Sequence, residues 1–240
     1  MYEKAAEILK EARYVVAFSG AGISVESGIP LFSGWDKFDP YFLDIGYFQA
    51  NARPVWVWLK KWIYDYYGRA KPNCAHLAIA RLLEKRIIRT VITMNFDGLH
   101  QKAGAGKVIE LCGSTKKLVC LQCHQKFEIN EIGLEKLPPR CPQCGGLLKP
   151  DILFYGEPMP EPANTDALKE ANRAKVVLVV GAAGVWMPAG LVPMLAKRRR
   201  RATIIEINPN KTRYTDDITD VFIRERAVAG LQNLVKALQI

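Results

Sequence analysis

Six short apolar runs do most to limit what this chain can fold into. They are YVVAFS (14–19), RTVITM (89–94), KVIEL (107–111), DILF (151–154), VVLVV (176–180) and TIIEI (203–207). Each has the length and the β-branched content of a strand. Helical patterns separate most of them, over 2–12, 54–67, 75–85, 166–174 and 228–238. Strands that alternate with helices predict an α/β fold with a doubly wound parallel sheet, whose ligands bind at the carboxyl ends of the strands. The first run leads into Gly20-Ala21-Gly22 and then Ser24. A strand, a glycine turn and a helix start in that order let backbone N–H groups approach and point at a nucleotide phosphate.

The alternation is interrupted by four cysteines. Cys120 and Cys123 form one Cys-x2-Cys pair, Cys141 and Cys144 a second, with seventeen residues between them. This spacing suits a four-thiolate zinc site, each pair making a knuckle that places two sulfurs on one side of the metal. Two disulfides are the alternative. The N-terminal MYEKAAEILKEA lacks the apolar run of an export signal, so a cytoplasmic location with reduced thiols is expected. Four protein sulfurs leave no open coordination position, so such a zinc is structural and any catalysis lies elsewhere. His124, next to Cys123, reads as a surface residue. The module over about 116–148 is therefore predicted to be an inserted small domain carrying a zinc ribbon, with the aromatic-rich segment 32–84 packed beside it.

The 240-residue chain carries a net charge of +10, which fits an acidic partner such as nucleic acid. Its densest basic run, Lys197–Arg201, falls at an expected helix C-terminus, where cations also complement the helix dipole as a solvated end. Residues 176–196 contain no charge and are long enough to cross a bilayer, but Gly181, Gly184, Pro188, Gly190 and Pro193 break the stretch. A buried strand, a loop and a helix start fit it better, and no membrane partner is expected.

Several motifs in order resemble the sirtuins, the NAD-dependent protein-lysine deacylases, and archaeal and bacterial members in particular. They are GAGISVESGIP (20–30), PNCAH (72–76), NFDGLHQKAG (95–104), IELCGS (109–114), the four cysteines, LKPDILFYGEP (148–158), VVGAAGVWMPA (179–189) and INPNKT (207–212). The resemblance implies a Rossmann-like NAD-binding domain over 1–31, 85–115 and 149–240, and a small helical and zinc-binding domain over 32–84 and 116–148. It implies that Ala21, Ile23, Asn95 and Asp97 line a nicotinamide pocket, with Asn95 catalytic. It also implies that Gly20 and Gly22 meet the phosphates, that Gly181 and Ala183 hold phosphate and ribose, and that Asn208 meets the adenosine ribose. An acyl-lysine peptide would lie as an added strand against Phe154, Tyr155, Gly156 and Glu157.

The departures from the family pattern gather at the chemistry. The family's base histidine falls at Cys112, its aspartate and arginine after the glycine loop at Leu31 and Ser33, and its glutamine at Met94. The Gly-Thr-Ser that meets ribose and phosphate reads Gly181-Ala182-Ala183, and the loop after Gly34 is shorter. A positioned base contributes roughly 10²–10⁴ in rate, so impaired or altered activity is expected, with Cys112 as the catalytic candidate. His76 and His100 read as structural. The alternative is a catalytically inactive nucleotide-, protein- or nucleic-acid-binding module on the same fold.

Overall fold

The computed structural model describes residues 1–31 and 39–240; Ser33 and Gly34 lie outside them. Its strands are β1 (Val15–Ser19), β2 (Thr90–Thr93), β3 (Val108–Glu110), β4 (Gly113–Cys120), β5 (Lys126–Glu128), β6 (Leu148–Ile152), β7 (Val176–Val180), β8 (Thr203–Ile207) and β9 (Val221–Ile223). Six of them form one sheet in the order β3-β2-β1-β7-β8-β9, every neighbouring pair parallel. The chain moves outward from β1 to β3, then returns to the other side of β1. The order therefore reverses between β1 and β7, which is where open α/β sheets bind ligands.

The doubly wound sheet expected from the alternation is present, buried on both faces. All five residues of β1 and of β7 are buried. The helices Tyr2–Glu11, Cys74–Glu84 and Ala227–Leu238 cover one face, packing Leu9, Ile79, Leu82 and Leu234 against Ala17, Leu178 and Ile205. Ala163–Arg173 and Leu191–Arg200 cover the other, over Phe18, Val177, Val179 and Ile204. β9 is a three-residue strand between polar segments, too short to show in a sequence pattern.

Two placements differ from expectation. DILF does not join the parallel sheet: β6 pairs antiparallel with β4, and β5 pairs on the other side of β4, as a three-stranded ribbon. A four-residue apolar run carries no information about which sheet it will join, and β6 starts four residues after Cys144, so the knuckles deliver it to β4. The helix Cys74–Glu84, assigned with 32–84 to the small unit, packs instead on the parallel sheet. The remaining helical segment shares a core with the ribbon, where Phe48, Val55, Trp56 and Leu59 meet Leu118, Leu148, Ile152 and Phe154. The Trp56 indole N–H donates to the Leu148 carbonyl at 2.9 Å.

A buried polar seam ties β1 to β2 and to the helix Cys74–Glu84. Ser19 Oγ donates to Thr93 Oγ1 at 2.9 Å and sits 2.8 Å from His100 Nε2. The Asn73 side chain caps the helix, accepting from Ala75 N–H at 2.9 Å. The His76 and His100 rings meet edge to face at 5.0 Å. Burial, aided by the neighbouring His76, pushes the His100 pKa down to about 3, and burial also lowers that of His76. Both imidazoles are therefore neutral in the fold, whereas in the unfolded chain they take up protons below about pH 6.5. Their contribution is complete above that value and is lost as pH falls through it, at about 1.4 kcal/mol per pH unit for His100. Urea unfolding at pH 7.5 and 5.5 is expected to show this loss, and His100→Gln to flatten the slope. An unchanged slope in the variant would refute it.

Candidate functional site

At the carboxyl ends of β1, β7 and β8 a cavity of about 550 Å³ opens at the switch point, within the range of roughly 300–1,000 Å³ usual for small-molecule sites. Its floor is two backbone turns pressed together. Gly22 N–H donates to the Gly181 carbonyl at 2.9 Å, and a Cβ on Gly22 would lie 2.7 Å from Gly181 Cα. Gly181 itself has a φ of +60°, which favours glycine. Ala21, Gly22, Gly181, Ala183 and Asn208 face this cavity, as do Leu31, Lys211 and Arg226. Gly20 and Ile23 do not. A Cβ on Gly20 would stand 2.9 Å from Ala182 Cα, so Gly20 serves the packing of the turns. Ile23, expected in the nicotinamide pocket, is fully buried in the core with Ile79 and Leu231. The 3-10 turn Ala21–Ile23 keeps Ala21 and Gly22 at the cavity and turns Ile23 into the core, a rotation the sequence motif does not specify.

A second cavity of about 210 Å³ adjoins the first, and Ala21, Met94 and Trp186 face both. Asn95, Asp97, Cys112 and the segment Phe154–Glu157 line it. Asn95 Nδ2 donates to the Gly20 carbonyl at 3.1 Å and to Ser24 Oγ at 3.3 Å. Ser24 Oγ donates in turn to Asp97 Oδ2 at 2.7 Å, and Asp97 Oδ1 accepts from Leu99 N–H at 2.9 Å. These bonds fix the end of β2 to the glycine turn after β1, so both residues are rigidly held. Cys112 packs among the apolar residues of the second face, beside Met94. Burial pushes its thiol pKa up to about 12 with no charged neighbour acting on it, so at neutral pH it is a protonated thiol without general-base capacity.

The segment Phe154–Glu157 is held from both sides. Tyr155 N–H donates to the Leu43 carbonyl at 2.7 Å and Ile45 N–H donates to the Tyr155 carbonyl at 3.1 Å. Glu157 Oε2 accepts from Phe154 N–H at 2.8 Å and pairs with the buried Lys149 ammonium at 3.1 Å. Lys149 also donates to the Ile152 carbonyl at 2.7 Å and lies 4.5 Å over the Phe154 ring. Burial lowers its pKa, and the Glu157 carboxylate opposes that shift. Tyr155 then stacks on Trp186 at 5.1 Å and 26°, joining this segment to the turn after β7 across the cleft. Sequence reasoning missed Trp186, Lys149 and Glu26. Glu26 faces the first cavity and accepts from Val228 N–H at 3.0 Å, occupying that helix N-terminus itself. A tryptophan in a glycine-broken loop is the one signal that was available.

The four cysteine sulfurs all lie within 4.8 Å of one another, with Cys120–Cys144 at 3.5 Å and Cys123–Cys141 at 3.7 Å. Tetrahedral Zn–S bonds of about 2.3 Å require sulfurs roughly 3.8 Å apart, and a disulfide requires about 2.05 Å, so the cluster fits a structural zinc. Cys120 Sγ accepts from Gln122 and Cys123 N–H groups at 3.4 and 3.5 Å, the knuckle that the spacing predicts. His124 is exposed and outside the cluster.

The Sir2 family model matches residues 20–188. This chain belongs to the Sir2 family. It is 41% identical to an NAD-dependent protein deacylase of Aeropyrum pernix over 242 residues, covering 99% of this chain and 97% of that one. An NAD-dependent protein deacylase of Thermococcus kodakarensis is 40% identical, with coverages of 100% and 96%. Among solved structures, a Sir2 homologue in complex with NAD superposes with a TM-score of 0.91 at 36% identity, covering 99% of this chain and 93% of that one. A Sir2 protein bound to a propionylated peptide gives 0.88 at 33% identity, with coverages of 98% and 97%. Sir2 relatives thus bind NAD, and the cradle of paired glycine turns at the switch point fits such a dinucleotide in this Sir2 chain. Among the described residues no helix is long and apolar enough to cross a membrane.

Because Cys120 and Cys141 belong to the same core as Leu118, Trp56 and Phe154, the metal supports the whole small unit. The purified protein is expected to carry one zinc per chain by atomic absorption. Cys141→Ser should lose it together with more than about 3 kcal/mol of stability, a fall in Tm on the order of 10 °C. A variant with unchanged Tm would contradict this.

Proposed function

We propose that this cleft binds NAD and an acyl-lysine peptide, and that acyl transfer by this chain is slow because a protonated Cys112 stands where the family keeps its histidine base. The observation that carries the proposal is the junction of the two cavities at Ala21, Met94 and Trp186. One cavity lies at the switch point, and the other holds Asn95, Asp97 and Cys112. Gly22 and Gly181 would meet the pyrophosphate through their backbone, with Gly20 packing behind them, Ala183 beside them and Asn208 at the adenosine ribose. Ala21, Asn95 and Asp97 would line the nicotinamide, and Ile23 would support them from the core. Bound NAD would supply the ribosyl group that accepts the acyl oxygen as nicotinamide leaves. The chain Phe154–Glu157, held by Lys149 and by the Leu43–Ile45 segment, would pair with the peptide backbone as an added strand.

The side-chain complement favours weak binding. Leu31, Met94, Ala182 and Ala183 present hydrocarbon to the first cavity, and each hydrogen bond not made forgoes about 1 kcal/mol. The same feature supports the second reading, a binding module without turnover. Nicotinamide release from NAD in the presence of an acetyl-lysine peptide separates the two. The expected result is release at a rate about 10²–10⁴ below that of a histidine-bearing relative, with little recovery in Cys112→His. No release above background from a folded, zinc-loaded preparation would sink the enzymatic reading. Full recovery in Cys112→His would show that the lost pocket donors matter less than proposed.

A further inference from the structure

The edge of the parallel sheet opposite the cleft carries a row of cations. Val91 N–H donates to the Lys107 carbonyl at 3.0 Å and Arg89 N–H to the Val15 carbonyl at 2.9 Å. Lys175 N–H donates to the Tyr14 carbonyl at 2.8 Å, and Thr203 N–H to the Lys175 carbonyl at 2.9 Å. These bonds align the starts of β3, β2, β1, β7 and β8. Lys107, Arg89 and Lys175 immediately precede β3, β2 and β7, and Arg13 and Arg201 stand two residues before β1 and β8, so these five cations lie along the amino edge, all exposed. With about 4.8 Å between strands, the row extends roughly 19 Å. Arg198–Arg200, exposed at the end of the helix Leu191–Arg200, thicken it beside β8.

Neutralisation of helix ends does not account for this concentration of charge. Each helix C-terminus presents roughly half a negative charge, so the five long helices offset about −2.5, whereas the row and its thickening hold eight exposed cations, of which Lys107 is paired with Glu170. The acids facing it are already engaged. Glu170 is buried and binds Lys107 at 2.8 Å, the Tyr14 hydroxyl at 2.6 Å and Arg173 at 3.6 Å, and Asp220 binds Lys197 at 2.6 Å. Glu11 and Glu84 end two of these helices.

We propose that this amino edge is a binding site for the phosphate backbone of double-stranded nucleic acid. Six of the eight cations are arginines, whose planar fork pairs with phosphate oxygens. A duplex 19 Å long carries roughly eleven phosphate charges, enough to face the whole row. Binding to single strands would call for exposed aromatic platforms. Among the described residues the exposed aromatics, such as Tyr155 and Trp186, lie elsewhere, and the Tyr14 ring is covered by Arg173 at 4.3 Å. The edge and the cleft stand about 16 Å apart across a five-residue strand, so a docked duplex leaves the cleft free. The inference does not depend on turnover in the cleft.

Fluorescence anisotropy of a labelled 20-base-pair DNA duplex against the full zinc-loaded chain, at several salt concentrations, tests it. With about five phosphates neutralised, log K should fall against log salt with a slope of roughly −4.5. The triple variant Arg13→Gln/Lys175→Gln/Arg201→Gln should weaken binding at least ten-fold at 100 mM salt and reduce the slope by about 3. Lys61→Gln/Lys71→Gln/Lys136→Gln, which removes the same charge elsewhere, should leave both nearly unchanged. The proposal is overturned if no salt-dependent binding appears, if both triples weaken it equally, or if poly-glutamate competes as well as DNA at equal charge.

Discussion

The contact between the turn after β1 and the turn after β7 is the constraint on which the site rests. These strands are sheet neighbours at the point where chain order reverses, so their carboxyl ends must diverge around whatever binds there, yet here the two backbones touch. Only glycine permits the approach, since a Cβ at position 20 or 22 would penetrate the opposing backbone. The contact fixes the height of the cradle floor. From it Asn95 and Asp97 take their places through Ser24 and the Gly20 carbonyl. The site is thus positioned mainly by backbone, so its shape does not depend on which side chains face it.

A second unit closes the cleft from the opposite side and depends on different interactions. Its core is shared between helices from 39–70 and a ribbon whose ends are gathered by four sulfurs. Lys149 passes this order to the cleft, because its ammonium is buried beneath Phe154 and binds Glu157 and two carbonyls of its own strand. Removing one partner of such a pair would leave the other charge poorly solvated, which is costly. The segment that borders the second cavity is therefore held by its own ion pair and backbone bonds, independently of the glycine turns.

Much of this was legible in the sequence because local rules governed it. The runs at 14–19, 89–94, 107–111, 176–180 and 203–207 became neighbouring parallel strands, and the cysteine spacing became a sulfur cluster with knuckle hydrogen bonds. What failed was set by tertiary context. DILF joined the ribbon because its neighbours in the chain were knuckles, and the helix Cys74–Glu84 went to the sheet because Ile79 and Leu82 found partners there. Ile23 turned into the core although its neighbours Ala21 and Gly22 face the cavity. The Tyr155–Trp186 stack joins residues more than thirty positions apart through two turns, and no spacing rule reports such a pair. Of the amino-edge cations only the run ending at Arg201 stood out in the sequence; Arg13, Arg89, Lys107 and Lys175 came together once strand order aligned them.

A backbone-built cradle should accept a dinucleotide although Leu31, Met94, Ala182 and Ala183 present only hydrocarbon to it. Calorimetric titration of the zinc-loaded chain with ADP-ribose measures this without requiring turnover. One site per chain with a Kd of roughly 0.1–1 mM, about −4 to −5.5 kcal/mol, is the predicted outcome. No saturable binding up to roughly ten times that concentration, in a chain shown to be folded, would contradict it.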